Sequence, residues 1–142
     1  MAARHDVGLT HVALVVSDVD RSIAFYERYA GMRVVHRRAT PNGAVVWIGD
    51  LTRPFVIVLA QGPAREPPLG PFAHLGVGCA SREELDRLVA QAAADGCLRR
   101  PTVDAGPSVG SYAMLSDPDG HTLELSFGQE VRFAVERASP DR

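Results

Sequence analysis

Cysteine is nearly absent. Only Cys79 and Cys97 occur, in hydrophobic surroundings and without CxxC spacing, so neither a disulfide framework nor a thiolate metal cage is expected. They read as reduced thiols of a cytoplasmic protein. Long apolar runs are missing too: the longest is Phe55–Ala60, far below the roughly 20 residues a spanning helix needs. The N-terminal MAARHDVGLT has no apolar h-region, which argues against secretion. There is no basic surplus, since 15 Lys and Arg face 17 Asp and Glu for a net charge of −2. A nucleic-acid partner is therefore not expected, nor a membrane one. With 46% hydrophobic and 23% charged residues, the chain is neither disordered nor collagen-like nor a coiled coil. At 142 residues it can bury about two-thirds of the surface its unfolded form exposes.

Two helices are clearly punctuated. Residues 18–30 place Val19, Ile23, Tyr26 and Ala30 at helical spacing, with Asp18 or Asp20 as cap and Gly31 as stop. Residues 82–95 place Leu85, Leu88, Val89 and Ala92 on one face. Ser81 and Glu84 form a capping box there, and Gly96 follows the last turn. A strand-like segment precedes each helix (9–16 and 72–79) and three follow each (33–39, 43–49, 54–60; 98–103, 109–115, 121–127). Pro41-Asn42-Gly43 and Asp117-Pro118-Asp119-Gly120 are turn chemistry.

The order βαβββ thus occurs twice, and the expected fold is α+β with two paired βαβββ modules. The divisions are an arm over 1–7, modules over 8–62 and 72–128, a Pro-rich linker over 63–71 and a polar tail over 129–142. The halves also align as a repeat. His11 and His74 open equivalent strands 63 residues apart. Gly62 and Gly128 close equivalent strands 66 apart, which sets Val58 opposite Glu124.

Strand alternation sorts the faces. Val12, Leu14 and Val16, Phe55, Ile57 and Leu59, Leu75 and Val77, and Leu123, Leu125 and Phe127 form bulky faces expected beneath the helices. The opposite faces carry His11, His74 and Glu124 among small residues, which implies a cavity. A lone strand histidine is ordinarily a hydrogen-bonded core or surface group. Two at equivalent repeat positions, with a carboxylate, have the composition of a metal site for Fe(II), Mn(II), Zn(II) or Ni(II).

The segments GLTHVALVVSDVDRSIAFYERYAGM at 8–32, FAHLGVGCASREELDRL at 72–88 and YAMLSDPDGHTLELSFG at 112–128 resemble the vicinal oxygen chelate superfamily. It embraces glyoxalase I, fosfomycin-resistance thiol transferases, bleomycin-resistance proteins and type I extradiol dioxygenases. The resemblance covers residues 8–128. It implies sheets curled around a divalent metal, with His11, His74 and Glu124 as ligands, and a homodimer. Glyoxalase I carries a fourth ligand, Glu or Gln, on the strand before the linker, where this chain has Val58. That departure argues against the glyoxalase proton shuttle, unless Gln61 supplies the ligand.

The expected function is a metal-dependent reaction on a small molecule chelated through neighbouring oxygens. A dioxygenase reaction with Fe(II) stands first and a fosfomycin-type thiol transfer or glyoxalase-like lyase reaction second. A metal-free, drug-sequestering protein is the binding alternative. Glu124, Tyr112 and Asp50 are the candidate catalytic groups, and Trp47, Val58, Met114 and Arg132 the candidate substrate contacts. Asp50 also fits a plain turn, Tyr112 and Trp47 a packed wall, and Arg132 a solvated charge. His121 belongs to the turn signature and is not expected to ligate. His5 and His36 have no partner in the pattern.

Overall fold

Eleven elements are formed: β1 (His11–Val16), α1 (Val19–Ala30), β2 (Arg33–Thr40), β3 (Gly43–Gly49), β4 (Val56–Gln61), β5 (Leu75–Gly78), α2 (Arg82–Asp95), β6 (Leu98–Asp104), β7 (Ser111–Ser116), β8 (Thr122–Phe127) and α3 (Val131–Ala138). The computed structural model describes residues 6, 9–63, 68–70 and 72–138. All of the arm expected over 1–7 but Asp6, most of the linker over 63–71 and the end of the tail lie outside the described residues. The chain divides into two units, residues 1–68 and 69–142. No helix among the described residues is long and apolar enough to cross a membrane.

The first unit is a four-stranded mixed sheet in the order β1-β4-β3-β2. The outer pair β1/β4 is parallel and the rest antiparallel. Asp18 caps α1 by accepting from the amides of Asp20 and Arg21, and Gly31 ends it at φ +61°. The helix buries Val19, Phe25, Tyr26 and Tyr29 on the side where Leu14, Val16, Val46, Ile48, Ile57 and Leu59 are also buried. Phe25 meets Tyr26 edge-on, with ring centroids 5.1 Å apart. Each large side chain so removed from water contributes roughly 1.5–3 kcal/mol.

The second unit repeats the order as β5-β8-β7-β6, with β5/β8 parallel. Ser81 accepts from the Glu84 amide, while the Glu84 carboxylate reaches back one residue further than a standard capping box, to the Ala80 amide at 2.8 Å. Leu85, Leu88, Ala92, Ala113, Leu115, Leu123 and Leu125 are buried. The DPDGH turn is closed from within: Asp117 Oδ1 accepts from the amides of Asp119 and His121.

The two registers match residue for residue. Ala13 pairs with Val58 in the first unit, and Gly76 pairs with Glu124 in the second; these are the 63- and 66-residue offsets of the repeat. The match extends across both sheets. His36 pairs with Trp47 and Trp47 with Val58; Arg100 pairs with Met114 and Met114 with Glu124. Each edge strand slips register just before this row, between Val34 and His36 and between Leu98 and Arg100. Three expectations shift. The fifth strand starts at Leu75, so His74 stands just before it; the fourth starts at Val56; and the tail carries α3, none of whose residues is buried.

Candidate functional site

In the second unit, His74 and Glu124 face each other, Nε2 to Oε1, at 3.9 Å. That is too long for a hydrogen bond. Two donors each about 2.1 Å from one ion stand at most about 4.2 Å apart, so the pair fits two ligands of a single cation. The imidazole is already oriented: Nδ1 lies 2.6 Å from the Phe72 carbonyl oxygen. A carbonyl can only accept, so Nδ1 carries the proton and Nε2 presents its lone pair. Glu124 is buried, and its other oxygen, Oε2, accepts from Gln129 Nε2 at 3.2 Å. Gly76, beside it in β5, keeps the approach open: a Cβ there would stand 3.4 Å from Oε2. Tyr112 and Met114 lie on the same face of β7, with the Arg100 guanidinium 5.9 Å from the centre of the Tyr112 ring.

Gln129 was missed by sequence reasoning. It lies beyond the end of β8, where no strand period applies, and only its polar character next to a candidate ligand strand could have drawn attention to it.

The first unit carries the other predicted residues on the open face of its sheet. His11, Trp47 and Val58 line one groove of about 740 Å³. His11 is exposed, with Nδ1 2.9 Å from Thr10 Oγ1. His36 has the partner its pattern did not reveal, since its ring centroid is 4.7 Å from that of Trp47. Gln61 points to the other face. Its Oε1 accepts from the Val19 amide at 3.0 Å and its Nε2 donates to the Asn42 carbonyl at 3.1 Å. It ties the start of α1 to the β2–β3 turn and is spent as a ligand.

Asp50 lies in the loop after β3 and accepts from the Thr52 amide and hydroxyl at 2.9 and 2.6 Å. Burial alone would raise its carboxyl, but the Thr52 hydrogen bonds outweigh it and hold the group below its ordinary value. Arg132 stands on α3, exposed. His121 is buried and its Nδ1 accepts from the Leu69 amide at 2.9 Å, a role within the turn. Burial pushes the Cys79 thiol up to about 11, with the Glu84 charge adding to it, so it is not an activated nucleophile. Within neither unit, among the described residues, do three His, Cys, Asp or Glu side chains gather as a metal cage.

The sequence resemblance implied three ligands, His11, His74 and Glu124; of these, His74 and Glu124 face each other within the second unit, and the βαβββ order occurs twice. The Glyoxalase/Bleomycin resistance protein/Dioxygenase superfamily matches residues 8–125. The chain belongs to that superfamily. It is 40% identical over 126 residues to an uncharacterized protein of Pseudomonas aeruginosa, covering 87% of this chain and 90% of that one. It is 33% identical over 124 residues to a lactoylglutathione lyase of Arabidopsis thaliana, covering 81% of this chain and 42% of the relative, so it spans about two-fifths of that protein. Among solved structures, the fosfomycin resistance protein FosX of Listeria monocytogenes, determined with Mn(II) and sulfate, superposes with a TM-score of 0.70. The identity is 19%, over 94% of this chain and 99% of that one. This likeness shows the glyoxalase-like α+β fold.

Proposed function

We propose that this chain is a metal-dependent vicinal oxygen chelate enzyme. Its site combines His74 and Glu124 of the second unit with His11 of a first unit. Its reaction is of dioxygenase type, on a small flat substrate held through two neighbouring oxygens. The observation that carries the metal reading is the His74–Glu124 pair, 3.9 Å apart with its imidazole tautomer set. The second unit supplies only two such donors, so the third must come from elsewhere: the first unit of the same chain or of a partner copy. The assembly proposed is a homodimer with two equivalent sites. Fe(II) is the first candidate, with Mn(II), Zn(II) or Ni(II) as substitutes, in a reduced cytoplasmic setting that keeps Cys79 and Cys97 as thiols.

Bound there, a divalent ion would act as Lewis acid and template for the substrate oxygens. The chain's own groups do the rest. The Phe72 carbonyl fixes the tautomer of the neutral His74 ring, so that Nε2 is the nitrogen with the lone pair. Gln129 holds one oxygen of Glu124 and leaves the other to face His74. Tyr112 supplies an O–H donor for a developing oxyanion on the same face. Val58 stands where glyoxalase-like enzymes place a carboxylate or amide. It can neither ligate nor move a proton, and it leaves a hydrocarbon wall that excludes water. Asp50 has no part in this proposal, because Thr52 holds its carboxylate in the ionised form and away from proton transfer.

The identity to a lactoylglutathione lyase supports a second reading, lyase chemistry without the fourth ligand, and a FosX-like thiol transfer is a third. One experiment separates them. Protein purified without added metal or chelator is analysed for metal and reconstituted anaerobically with Fe(II). It is then assayed for oxygen uptake on catechols and for methylglyoxal–glutathione isomerisation with Zn(II) or Ni(II). Oxygen uptake without isomerisation is expected. Robust isomerisation would overturn the dioxygenase reading, and failure to bind any divalent ion would overturn the metal reading.

A further inference from the structure

The groove of the first unit has a chemistry of its own. Its floor is a cross-strand row, Trp47 beside Val58, with Val45 and Val56 alongside. Trp47 is 41% exposed and lines the groove together with the exposed Val35 and Leu51, an open apolar patch of the kind that marks binding surfaces. The register slip in β2 puts His36 directly across from Trp47, so an imidazole and an indole meet at 52° along one side of the groove. Such a corner takes a flat ring by stacking or edge contact.

The groove also carries charge. Arg38 and Arg53 line it, against the single carboxylate of Asp6. Arg53 donates through Nε to Thr52 Oγ1. The Arg38 side chain makes no hydrogen bond or ion pair among the described residues, whereas that of its neighbour Arg37 is paired with Asp20 at 3.0 Å. Arg38 lies across from Val45, hence diagonal to Trp47, a relation of about 7–8 Å that a long side chain spans easily. In the other direction His11 lies two strands from Trp47, across β4, and two residues along from Ala13, which shares the Trp47 row, or roughly 12 Å at the usual strand spacing and rise. The groove therefore offers, in order, a guanidinium, an aromatic face, a valine floor and an imidazole.

We propose that this groove binds a planar aromatic acid, its anionic group on Arg38 and its ring on Trp47, with the far edge toward His11. This deepens the proposed function and rests on it only for that far edge; the binding of ring and anion needs no metal. An aliphatic acid would forgo the aromatic contact, and a neutral aromatic would forgo the charge-assisted hydrogen bonds that a guanidinium gives a carboxylate.

The test uses metal-free protein and three probes: 2-naphthoate, 2-naphthamide and cyclohexanecarboxylate. Binding is read by titration calorimetry and by the emission of Trp47, the sole tryptophan of the chain. Naphthoate is expected to bind saturably and perturb the emission, with the amide and the aliphatic acid each at least tenfold weaker. Arg38→Gln should bring naphthoate down to the level of the amide and leave the amide unchanged. Trp47→Leu should weaken both aromatic probes, as read by calorimetry. His74→Ala should leave all three as they were. Equal affinity for acid and amide, or no saturation, overturns the proposal. So does naphthoate binding that requires His74 or added Mn(II), since the ligand would then sit on the metal half-site. Loss of metal binding in a separate titration would sink the metal reading and leave this one standing.

Discussion

The two units share fold, register and even the position of an edge-strand slip, yet the rows they present differ in kind. In the first unit the row runs His36, Trp47, Val58, Ala13; in the second it runs Arg100, Met114, Glu124, Gly76. Each unit keeps a histidine two residues before the last member, His11 and His74. Only the second sets a carboxylate beside it. One backbone has thus been given two tasks. The first unit offers a flat apolar surface and an imidazole, the second a charged pair held by hydrogen bonds. The carboxylate itself turns on a single strand position, Val58 against Glu124, which makes that part of the difference open to experiment.

The largest effect is expected from erasing the charged side of the comparison. Glu124→Gln or His74→Ala removes one of two facing donors and should abolish turnover and weaken divalent metal binding at least a hundredfold. His74 is exposed, and Glu124, though buried, alternates with the core residues Leu123 and Leu125 and is not one of them, so circular dichroism and the melting temperature should stay close to wild type. Val58→Ala, at the equivalent place in the first unit, should leave metal affinity unchanged. Isothermal titration with Mn(II) reads all three, and undiminished affinity in the His74 variant would refute the ligand role.

Val58→Glu makes the first unit resemble the second. It should tighten metal binding by about tenfold if the new carboxylate reaches the ion, and suppress oxygen-dependent turnover by filling the open position. Oxygen uptake that survives alongside tighter binding would show that the open position is not used by O₂.

Gln129→Leu takes away the hydrogen bond to Glu124 Oε2 without touching either facing donor atom. Partners that orient a ligand are worth about 10–100-fold in metal affinity, and the lower end is expected here because Gln129 itself is exposed. Gln129→Glu is the sharper variant. It keeps the length but repels Glu124 when ionised, so its metal affinity should fall below that of the leucine variant.

Much of this was legible in advance, for a physical reason. The repeat offsets of 63 and 66 residues encode the β1/β4 and β5/β8 registers, because a parallel pair joined through the same elements keeps the same stagger. The sorting of bulky and small faces follows from strand alternation and holds for Leu14, Val16, Ile57, Leu59, Leu123 and Leu125, all buried; Val12, Phe55, Leu75 and Val77 are half-buried, Phe127 is exposed, and β8 buries Thr122, Glu124 and Ser126 on its other face as well. His36 was not legible. The extra residue that the slip adds to β2 breaks the alternation, and the run Val34-Val35-His36-Arg37-Arg38 has no period to reveal it. Gln61 and Gln129 were opaque for another reason: an amide near a site reads equally as ligand, cap or brace until its partners are known. The helix α3 buries nothing, so its residues left no core signal. Phe72 and His74 fell outside their expected strand because the segment before β5 turns to bring its carbonyl to the imidazole.

Gln61 tests the comparison away from the site. Its amide serves the Val19 N–H and the Asn42 carbonyl, while the equivalent place in the second unit is Phe127, 37% exposed. Gln61→Leu should cost about 1–2 kcal/mol through the lost helix-start acceptor and the orphaned carbonyl, with metal binding unaltered. Urea unfolding measures the first and Mn(II) titration the second. A change in metal affinity with no loss of stability would return Gln61 to the list of ligands.

The smallest effect is expected at Cys79, the counterpart of the fully buried Val16 in the first unit. Burial raises the Cys79 thiol from 9.0 to about 11. The folded protein therefore holds this proton where the unfolded chain has released it. The stabilising balance is complete below pH 9 and is lost as pH rises toward 11. The thiol is half-exposed, so the loss is small. Wild type and Cys79→Val should keep a constant difference in urea midpoint up to about pH 8.5, with wild type falling relative to the variant between roughly pH 9 and 11. At pH 8 the native thiol should react with iodoacetamide roughly a hundredfold more slowly than free cysteine, because the thiolate is the reacting form. Site-resolved mass spectrometry separates it from Cys97. Rapid alkylation of native Cys79 at that pH would show that burial does not hold the thiol in its protonated form.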